Sequence, residues 1–322
     1  MSTVRNLVRK YGSEVAHYIA NLGVNLLSNG NIYFVDNENT NALNANNGVA
    51  GNTYAQPFST LNYAISRCTA SQGDVILVAE GHTETIDDAG TASGTTTDEL
   101  VVDKAGISII GIGRGRQRPT FTLGSADTTA AMVVTAGTTN VLIKNLRFVA
   151  GMADTGAAIT LTATSDGAII EDCEFRDGNA ANLELVDAIT IAADCDDVVI
   201  RNCVFSTVPS GGCASAIVLA GGSDRIVIEG NIAQGTYSNA VVSMDTAAST
   251  EVIIRNNIFT NQGAAVLELH ASCTGILANN YLAGTTSMAA ALTGENLMWP
   301  FENYATGEDA KSAVINPAVD SE

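Results

Sequence analysis

VLIKNLRF (residues 141–148) is the first of six similar segments in this chain of 322 residues. The later copies are AIIEDCEF (168–175), VVIRNCVF (198–205), IVIEGNIA (226–233), VIIRNNIF (252–259) and GILANNYL (275–282). Their starts lie 27, 30, 28, 26 and 23 residues apart. A repeat of this length indicates a solenoid, in which each repeat packs only against its neighbours.

A second series of short apolar segments lies between the first. Its members are AITL (158–161), AITI (188–191), AIVL (216–219), AVVS (240–243), AVLE (265–268) and AALT (290–293). Two interleaved series with a shared period suit two or three short strands per coil, whereas βαβ units need about 30 residues or more. The sequence therefore predicts an all-β fold, a single-stranded parallel β-helix, with right-handed crossovers because these are strongly preferred.

Each position of the repeat is predicted to face one way, because side chains alternate along a strand. The third position is aliphatic and faces inward, the fourth is mostly charged and faces outward, and the eighth returns to the core. The fifth is Asn, Asp or Gly, which tolerate a left-handed backbone and predict a stacked turn. The inward third position holds Ile143, Ile170, Ile200, Ile228, Ile254 and Leu277, and the fifth holds Asn145, Asp172, Asn202, Gly230, Asn256 and Asn279.

The domain organisation follows from where the repeat begins and ends. Residues 31–295 are predicted to form the β-helix, with an amino-terminal cap at about 31–105 that contains strands at 32–36 and 74–81 and a helix at 60–68. Residues 1–30 form an arm, with an amphipathic helical stripe over 3–22. This arm has a net charge of +2, against −21 for the rest of the chain. Residues 296–322 have no rung pattern and are predicted to form a carboxyl-terminal cap or tail.

Composition excludes several classes of function. A net charge of −19 repels nucleic acid, and no apolar run approaches the length of a membrane span. The sequence shows no signal-peptide pattern. None of the six cysteines forms a close Cys-x-x-Cys pair, which favours buried free thiols over zinc binding or disulfides. We expect no cofactor.

Carboxylates are the residues to test for chemistry, because a glycosidase needs two of them flanking the bond it cleaves. The candidates are Glu171, Asp172, Glu174, Asp177, Asp187, Asp194, Asp196 and Asp197. A chain with 34 acidic residues brings some together by composition alone, and no motif ties these to a partner. We therefore predict no catalytic site, and Asp194, Asp196 and Asp197 remain only a candidate cation site.

Two outward columns are unusual for an isolated solenoid. The second position is apolar throughout, with Leu142, Ile169, Val199, Val227, Ile253 and Ile276. The seventh changes from charged to apolar toward the carboxyl end, where it holds Ile232, Ile258 and Tyr281. Monomers rarely expose so large an apolar stripe. The stripe is either a subunit interface, as in a homotrimer, or a surface covered by a loop or the chain's own tail.

The amino-terminal half carries a family resemblance. Tyr33-Phe34-Val35-Asp36, an Asn/Gly loop, Pro57-Phe58-Ser59-Thr60-Leu61 and the segment from Asp74 to His82 resemble the opening of pectin-lyase-like β-helix proteins of tailed-bacteriophage virions. The Gly111-Ile112-Gly113 turn and the Arg118-Pro119-Thr120 step are similar too, so the resemblance covers about residues 31–290. It implies a capsid decoration protein, a cement protein or a tail spike, and such proteins are usually trimers.

These observations together favour a non-enzymatic virion structural protein, a trimeric decoration or cement protein on the capsid exterior, made in the host cytoplasm. The arm is expected to dock on the major capsid protein through Arg5, Arg9, Lys10, Tyr11 and Tyr18. The alternative is a receptor-binding tail spike, with glycan as ligand and polysaccharide hydrolase or lyase activity. Length argues against the spike, because spikes usually carry a separate particle-binding domain and a longer shaft, whereas the arm here has only about 30 residues.

Overall fold

The computed structural model describes residues 30–86, 100–124, 131–178, 183–208, 213–284, 297–306 and 313–315. Within these ranges nearly all of the regular secondary structure consists of short β-strands. One helix interrupts them near the start, and a single 3₁₀ turn spans Gly115–Gln117.

The elements follow one another in an order that soon becomes periodic. They are β1 (Ile32–Val35), α1 (Leu61–Arg67), β2 (Val75–Val78), β3 (Thr83–Ile86), β4 (Leu100–Val102), β5 (Ser108–Gly111), β6 (Thr120–Leu123), β7 (Met132–Val134), β8 (Leu142–Lys144), β9 (Arg147–Ala150), β10 (Thr155–Leu161), β11 (Ile169–Glu171), β12 (Glu174–Arg176), β13 (Leu185–Ile191), β14 (Val199–Arg201), β15 (Val204–Ser206), β16 (Ser215–Leu219), β17 (Val227–Glu229), β18 (Ile232–Gln234), β19 (Ala240–Met244), β20 (Val252–Arg255), β21 (Ile258–Asn261), β22 (Ala265–Leu269), β23 (Thr274–Ala278), β24 (Tyr281–Gly284), β25 (Leu297–Phe301), β26 (Asn303–Thr306) and β27 (Ala313–Ile315).

These strands build three sheets, which the chain visits in turn. Sheet I has the order β1-β2-β5-β8-β11-β14-β17-β20-β23-β25. Sheet II runs from β3 through β6, β9, β12, β15, β18, β21 and β24 to β26 and β27, and sheet III runs from β4 through β7, β10, β13, β16 and β19 to β22. Neighbouring strands are parallel except β26 and β27. The predicted parallel β-helix is confirmed, with three strands in each full coil.

The inside of the coil is the predicted stack of apolar columns. The third-position residues pair level by level along sheet I and are fully buried from Ile170 onward. Beside them, Phe148, Phe175 and Phe205 stack nearly parallel, with ring centroids 5.3 and 5.0 Å apart. Stacking identical side chains at the spacing between strands removes apolar surface from water in every coil.

The corner between sheets I and II is also as predicted. All six fifth-position residues have a positive φ, between 54° at Asn279 and 65° at Gly230. Glu302 takes the same place in the last described coil, with a φ of 50°. Asparagine, aspartate and glycine tolerate this left-handed conformation best, which explains why they recur there.

The sixth position, immediately after that corner, forms a buried polar ladder that the sequence reading missed. It holds Asn231, Asn257, Asn280 and Asn303 in four successive coils, and all four are buried. The Oδ1 atoms of the last three each accept hydrogen bonds from the backbone N–H and the side-chain amide of the preceding asparagine, and Asn231 Oδ1 accepts from the backbone N–H of Cys203. Each amide also donates to a carbonyl oxygen, as Asn257 does to Ile228 at 2.9 Å. Buried amides are stable here because they are satisfied by the coils on both sides.

One register predicted from sequence is wrong. Aligning AIVL with AVVS places Ala216 beside Ala240, but the strands of sheet III pair Ser215 with Ala240 and Ile217 with Val242. The spacing between these inward residues is therefore 25 residues. The loop between β18 and β19 is one residue longer than the apparent motif implies. The burial of the inward face determines the pairing, because a shift of one residue would move every inward side chain to the outer face of the sheet.

Both predicted ends of the β-helix need correction. Strands β2, β3 and β4 already form a full coil, so the distinct cap within 31–105 is the loop after β1 together with α1, which packs on β1, β2 and β4. At the other end, β25 and β26 pair in parallel with β23 and β24, so the β-helix continues past 295 to at least 306. Pro300 occupies the position opposite Leu277, which hid this coil from the repeat pattern.

We predict that Asn257→Ala lowers the unfolding midpoint followed by circular dichroism. The substitution removes a donor to Ile228 and Asn280 and leaves two N–H groups of Asn231 without an acceptor. Loss of these bonds should cost roughly 2–4 kcal/mol. Asn41→Ala, at an exposed asparagine of the cap loop, is the matched control. Equal midpoints for the two variants would contradict a stabilising role for the ladder.

Candidate interaction surface and acidic sites

The sheet I column is the outward second position, extended by one coil. Its register pairs Leu142, Ile169, Val199, Val227, Ile253, Ile276 and Trp299 in that order. Exposure grows toward the carboxyl end, where Ile276 is 46% and Trp299 is 70% exposed. The last described coil therefore extends the column rather than covering it.

The sheet II column is the outward seventh position, on the other side of the corner. Its register pairs Arg147, Glu174, Val204, Ile232, Ile258, Tyr281 and Tyr304. Ile258, Tyr281 and Tyr304 are 47%, 43% and 58% exposed. Sequence reasoning identified six coils of this surface but missed Trp299 and Tyr304.

A strip of charged residues separates the two columns. It is the outward fourth position, and its charges alternate along the register Lys144, Glu171, Arg201, Glu229, Arg255. Glu171 contacts Lys144 at 3.2 Å and Arg201 at 2.9 Å, and Arg255 contacts Glu229 at 2.9 Å. The charges of this strip are thus largely neutralised within the chain.

The proposed docking residues of the arm, Arg5, Arg9, Lys10, Tyr11 and Tyr18, lie outside the described residues. No helix within the described ranges is long and apolar enough to cross a membrane.

The acidic segment around residue 196 is held by hydrogen bonds to neighbouring coils. Asp196 Oδ1 accepts from the backbone N–H of Asp224 at 2.8 Å, and Asp166 and Asp224 accept from the next coil in the same way. The Arg225 guanidinium contacts Asp196 at 3.1 Å and Asp197 at 2.7 Å. The hydrogen bond that Arg225 donates to Asp197 lowers the pKa of this carboxyl below its ordinary value. Asp194 instead occupies a turn with a φ of 57°.

Such an arrangement gives little support to a cation site. Across the residues that the structure describes, no three His, Cys, Asp or Glu side chains are grouped so that they could hold a metal ion. Two of the three candidate carboxylates are already occupied by one guanidinium, which competes with a cation for the same oxygens.

Two of the candidate catalytic carboxylates are likewise engaged. Glu171 bridges Lys144 and Arg201, as described above. Glu174 contacts Arg147 at 3.0 Å and Arg118 at 3.3 Å, on the outer face of sheet II. Both belong to ion pairs that link successive coils, which is a structural role.

A different acidic group lies between sheets II and III. Asp177 and Glu184 are buried, and Asp177 Oδ2 accepts from the hydroxyl of Thr207 and from the backbone N–H of Val208 at 2.9 Å. Burial raises the pKa of Glu184, with Asp154 and Asp177 adding to the effect. Burial also raises the pKa of Asp187 to about 6. Sequence reasoning named Asp177 and Asp187 and missed Glu184, which has no place in the repeat.

Several polar atoms near this acidic group have no hydrogen-bond partner among the described residues. They are the Tyr237 hydroxyl, the Ser215 hydroxyl, and one carboxylate oxygen each of Glu184 and Asp187. Tyr237 is 1% exposed and lines a small cleft with Asp177, Arg176 and the edges of the phenylalanine stack. A raised pKa makes a carboxyl better suited to general acid chemistry, so this group could support it, as could Glu268, whose pKa burial also raises.

Known proteins share the fold of this chain. The sequence matches the family described as "Right handed beta helix region" over residues 125–296. The chain belongs to this family. No curated protein sequence matches it. Among solved structures, a rhamnogalacturonan lyase is 17% identical over 88% of this chain and 78% of its own, with a TM-score of 0.61.

Two further solved structures are more distant from this right-handed β-helix. A pectate lyase from Bacillus sp. N165 in complex with trigalacturonate is 14% identical over 80% of this chain and 83% of its own, with a TM-score of 0.44. ORF18 of Geobacillus virus E2 is 11% identical over 92% of this chain and 64% of its own, with a TM-score of 0.34. At these identities the likeness concerns the fold alone.

The remaining candidate groups of this right-handed β-helix have structural roles. His82, between β2 and β3, is fully buried. Its Nδ1 accepts from the backbone N–H of Asn37 at 3.1 Å, and its Nε2 lies 3.1 Å from Glu84. All six cysteines are free and buried, and Cys173 and Cys203 stack in the column that the asparagine ladder continues. The predicted free thiols are confirmed.

We predict that Asp187→Asn stabilises the protein at pH 7 but not at pH 4. The pKa of Asp187 in the folded protein lies above its ordinary value of 3.8. The unfolded chain therefore loses this proton at a lower pH than the folded protein does. The free energy of unfolding consequently falls as the pH rises from about 3.8 to about 6. For a partly exposed carboxyl the gain on substitution should be about 1–2 kcal/mol. Thermal unfolding across pH 4–8 measures it, with exposed Asp245→Asn as control. A difference that does not vary with pH would refute this assignment.

Proposed function

We propose that this right-handed β-helix is a non-enzymatic structural protein of a tailed-phage virion, a homotrimer that binds the outer capsid shell and stabilises it. The observation that carries the proposal is the pair of apolar columns on sheets I and II, which are most exposed in the last described coils. The resemblance of residues 31–290 to virion β-helix proteins supports the virion and its capsid exterior as the place where this surface is used.

The exposed side chains explain why a subunit contact is favoured. Trp299, Tyr304 and Tyr281 are large aromatics, the type most enriched at interfaces, and each leaves 43% or more of its surface in water. Burying them against another protein gains roughly 25 cal/mol for each Å² of apolar surface removed from water. The charged strip between the columns is already paired within the chain, so association would not leave it without partners.

The non-enzymatic part of the proposal rests on how the carboxylates are used. Glu171, Glu174, Asp196 and Asp197 all pair with Arg or Lys. A carboxylate whose oxygens are held by a cation of its own chain is poorly placed to contact a substrate. Four of the eight candidate carboxylates therefore serve the contacts between coils.

One observation favours the alternative, a receptor-binding tail spike that cleaves glycans. Glu184 and Asp187 have raised pKa values, and Asp177, which contributes to that of Glu184, lines a cleft with Arg176 and the unpartnered Tyr237. In this second candidate function, a protonated carboxyl at this group would donate to the glycosidic oxygen and the other carboxylate would assist.

The trimer gives the first prediction of this proposal. Light scattering coupled to gel filtration should report about three times the chain mass of 33.2 kDa. Tyr281→Glu should shift the protein to monomer, because it places a charge in the contact. Val49→Glu, at an apolar residue of the cap loop that is 51% exposed, should leave the trimer intact. A wild-type monomer at micromolar concentration would refute the proposal.

A second prediction concerns the arm and the particle. Deleting residues 1–22 should abolish binding to capsids while leaving the circular dichroism spectrum of the β-helix unchanged. Arg5→Glu with Arg9→Glu should weaken binding in the same direction, since the arm carries the local positive charge. Copies spread over the head lattice in electron micrographs support a decoration protein, whereas a few copies at the tail tip point to the spike.

Enzymatic activity separates the two candidate functions directly. Purified protein is incubated with host surface polysaccharide, and new reducing ends or unsaturated products are measured. The structural proposal predicts neither. Cleavage that is lost on Asp187→Asn or Glu184→Gln would establish the spike instead. Asp196→Ala is the comparison, at a carboxylate that Arg225 and the backbone of the next coil already hold.

A further inference from the structure

We infer that, in the trimer, the sheet I column of each copy packs level by level against the sheet II column of the next copy. This inference rests on the proposed trimer and adds which surfaces meet. Its partner is a second copy of this chain, and its contact residues come from two different faces of the same β-helix.

The two columns lie on either side of one corner in every coil. In the coil that contains β20 and β21, Ile253 faces out from sheet I and Ile258 faces out from sheet II. Arg255 and Asn256 lie between them, and Asn256 makes the left-handed turn. Each copy therefore presents two separate apolar faces that point in different directions, rather than one broad patch.

The two columns are both apolar over the same part of the axis. From the level of Val199 and Val204 onward, neither contains a charged residue. The pairs at successive levels are Val199 with Val204, Val227 with Ile232, Ile253 with Ile258, Ile276 with Tyr281, and Trp299 with Tyr304. At the two levels before these, Arg147 and Glu174 of the sheet II column pair with each other at 3.0 Å. The sheet I column is apolar at these two levels as well, so both faces are apolar together from the level of Val199 and Val204 onward.

A second copy is the occupant that fits this geometry. Its columns have the same spacing between levels, because parallel strands repeat at about 4.8 Å in every copy. A rotation axis along the solenoid keeps equal levels opposite each other, so apolar levels meet apolar levels. A chain with a net charge of −19 repels its own kind elsewhere, and these uncharged columns avoid that repulsion.

The difference between the two faces determines the symmetry of the contact. A two-fold dimer joins one face to itself, whereas two different faces on one subunit make a head-to-tail contact that closes into a ring. The sheet I column binding the sheet II column is a contact of the second kind, and from the level of Val199 and Val204 onward it leaves neither apolar face unpaired when the ring is closed.

Cysteine cross-linking tests this arrangement. Ile276→Cys and Tyr281→Cys place one thiol in each column at the same level, and the native cysteines are all buried. After the wild-type mass is measured, the variants are oxidised with diamide, alone and co-expressed, and run on non-reducing gels. We expect no cross-link for either variant alone, and a band of about twice 33.2 kDa when they are co-expressed. The double variant in one chain should give bands up to the trimer.

The outcomes separate the contact from the function on which it rests. A dimer band from Ile276→Cys alone shows that the face meets itself, and it overturns the inference. A wild-type trimer whose co-expressed variants do not cross-link overturns it as well, because other faces then hold the ring. A wild-type monomer refutes the proposed function before any cross-link is made. Val49→Cys controls for random collision, and unchanged thermal unfolding of each variant shows that it is folded.

Discussion

The left-handed residue between sheets I and II is the constraint on which the rest of the structure depends. It turns the chain from sheet I into sheet II at the same point in every coil from Asn145 to Glu302, so that equivalent side chains stay above one another. Because the corner does not drift, the aliphatic column, the phenylalanine stack and the asparagine ladder remain continuous. The outer columns inherit the same alignment. A surface that repeats at the strand spacing is therefore a direct result of a backbone preference of single residues.

The sequence predicted what strand alternation and turn chemistry control. Ile170 faces in, Ile169 faces out and Asp172 turns the chain, and each follows from its type and its place in the repeat. The asparagine ladder was missed because the sixth position changes from leucine and cysteine to asparagine midway, so no single residue type marks the column. The extra coil was missed because Pro300 replaces an aliphatic residue there.

Sites outside the repeat were harder to predict than the fold. Glu184 lies in a connection between sheets II and III, where coils differ in length and the sequence has no period to follow. Its raised pKa depends on burial, on Asp154, which lies 30 positions earlier in the chain, and on Asp177. The pairing of Arg225 with Asp196 and Asp197 likewise joins residues that are 28 or 29 positions apart. Chemistry of this kind depends on which residues the coils bring together.

The alternating strip from Lys144 to Arg255 has a consequence for how such a chain can change length. Positive and negative residues occupy successive levels, so each coil is matched to the sign of the coil before it. Loss or duplication of a single coil would place like charges directly opposite each other, which destabilises neighbouring strands. Gain or loss of two coils at once would preserve the alternation. Viable insertions in the evolution of this segment should therefore come in pairs of coils, because only an even number of added coils keeps opposite charges next to each other.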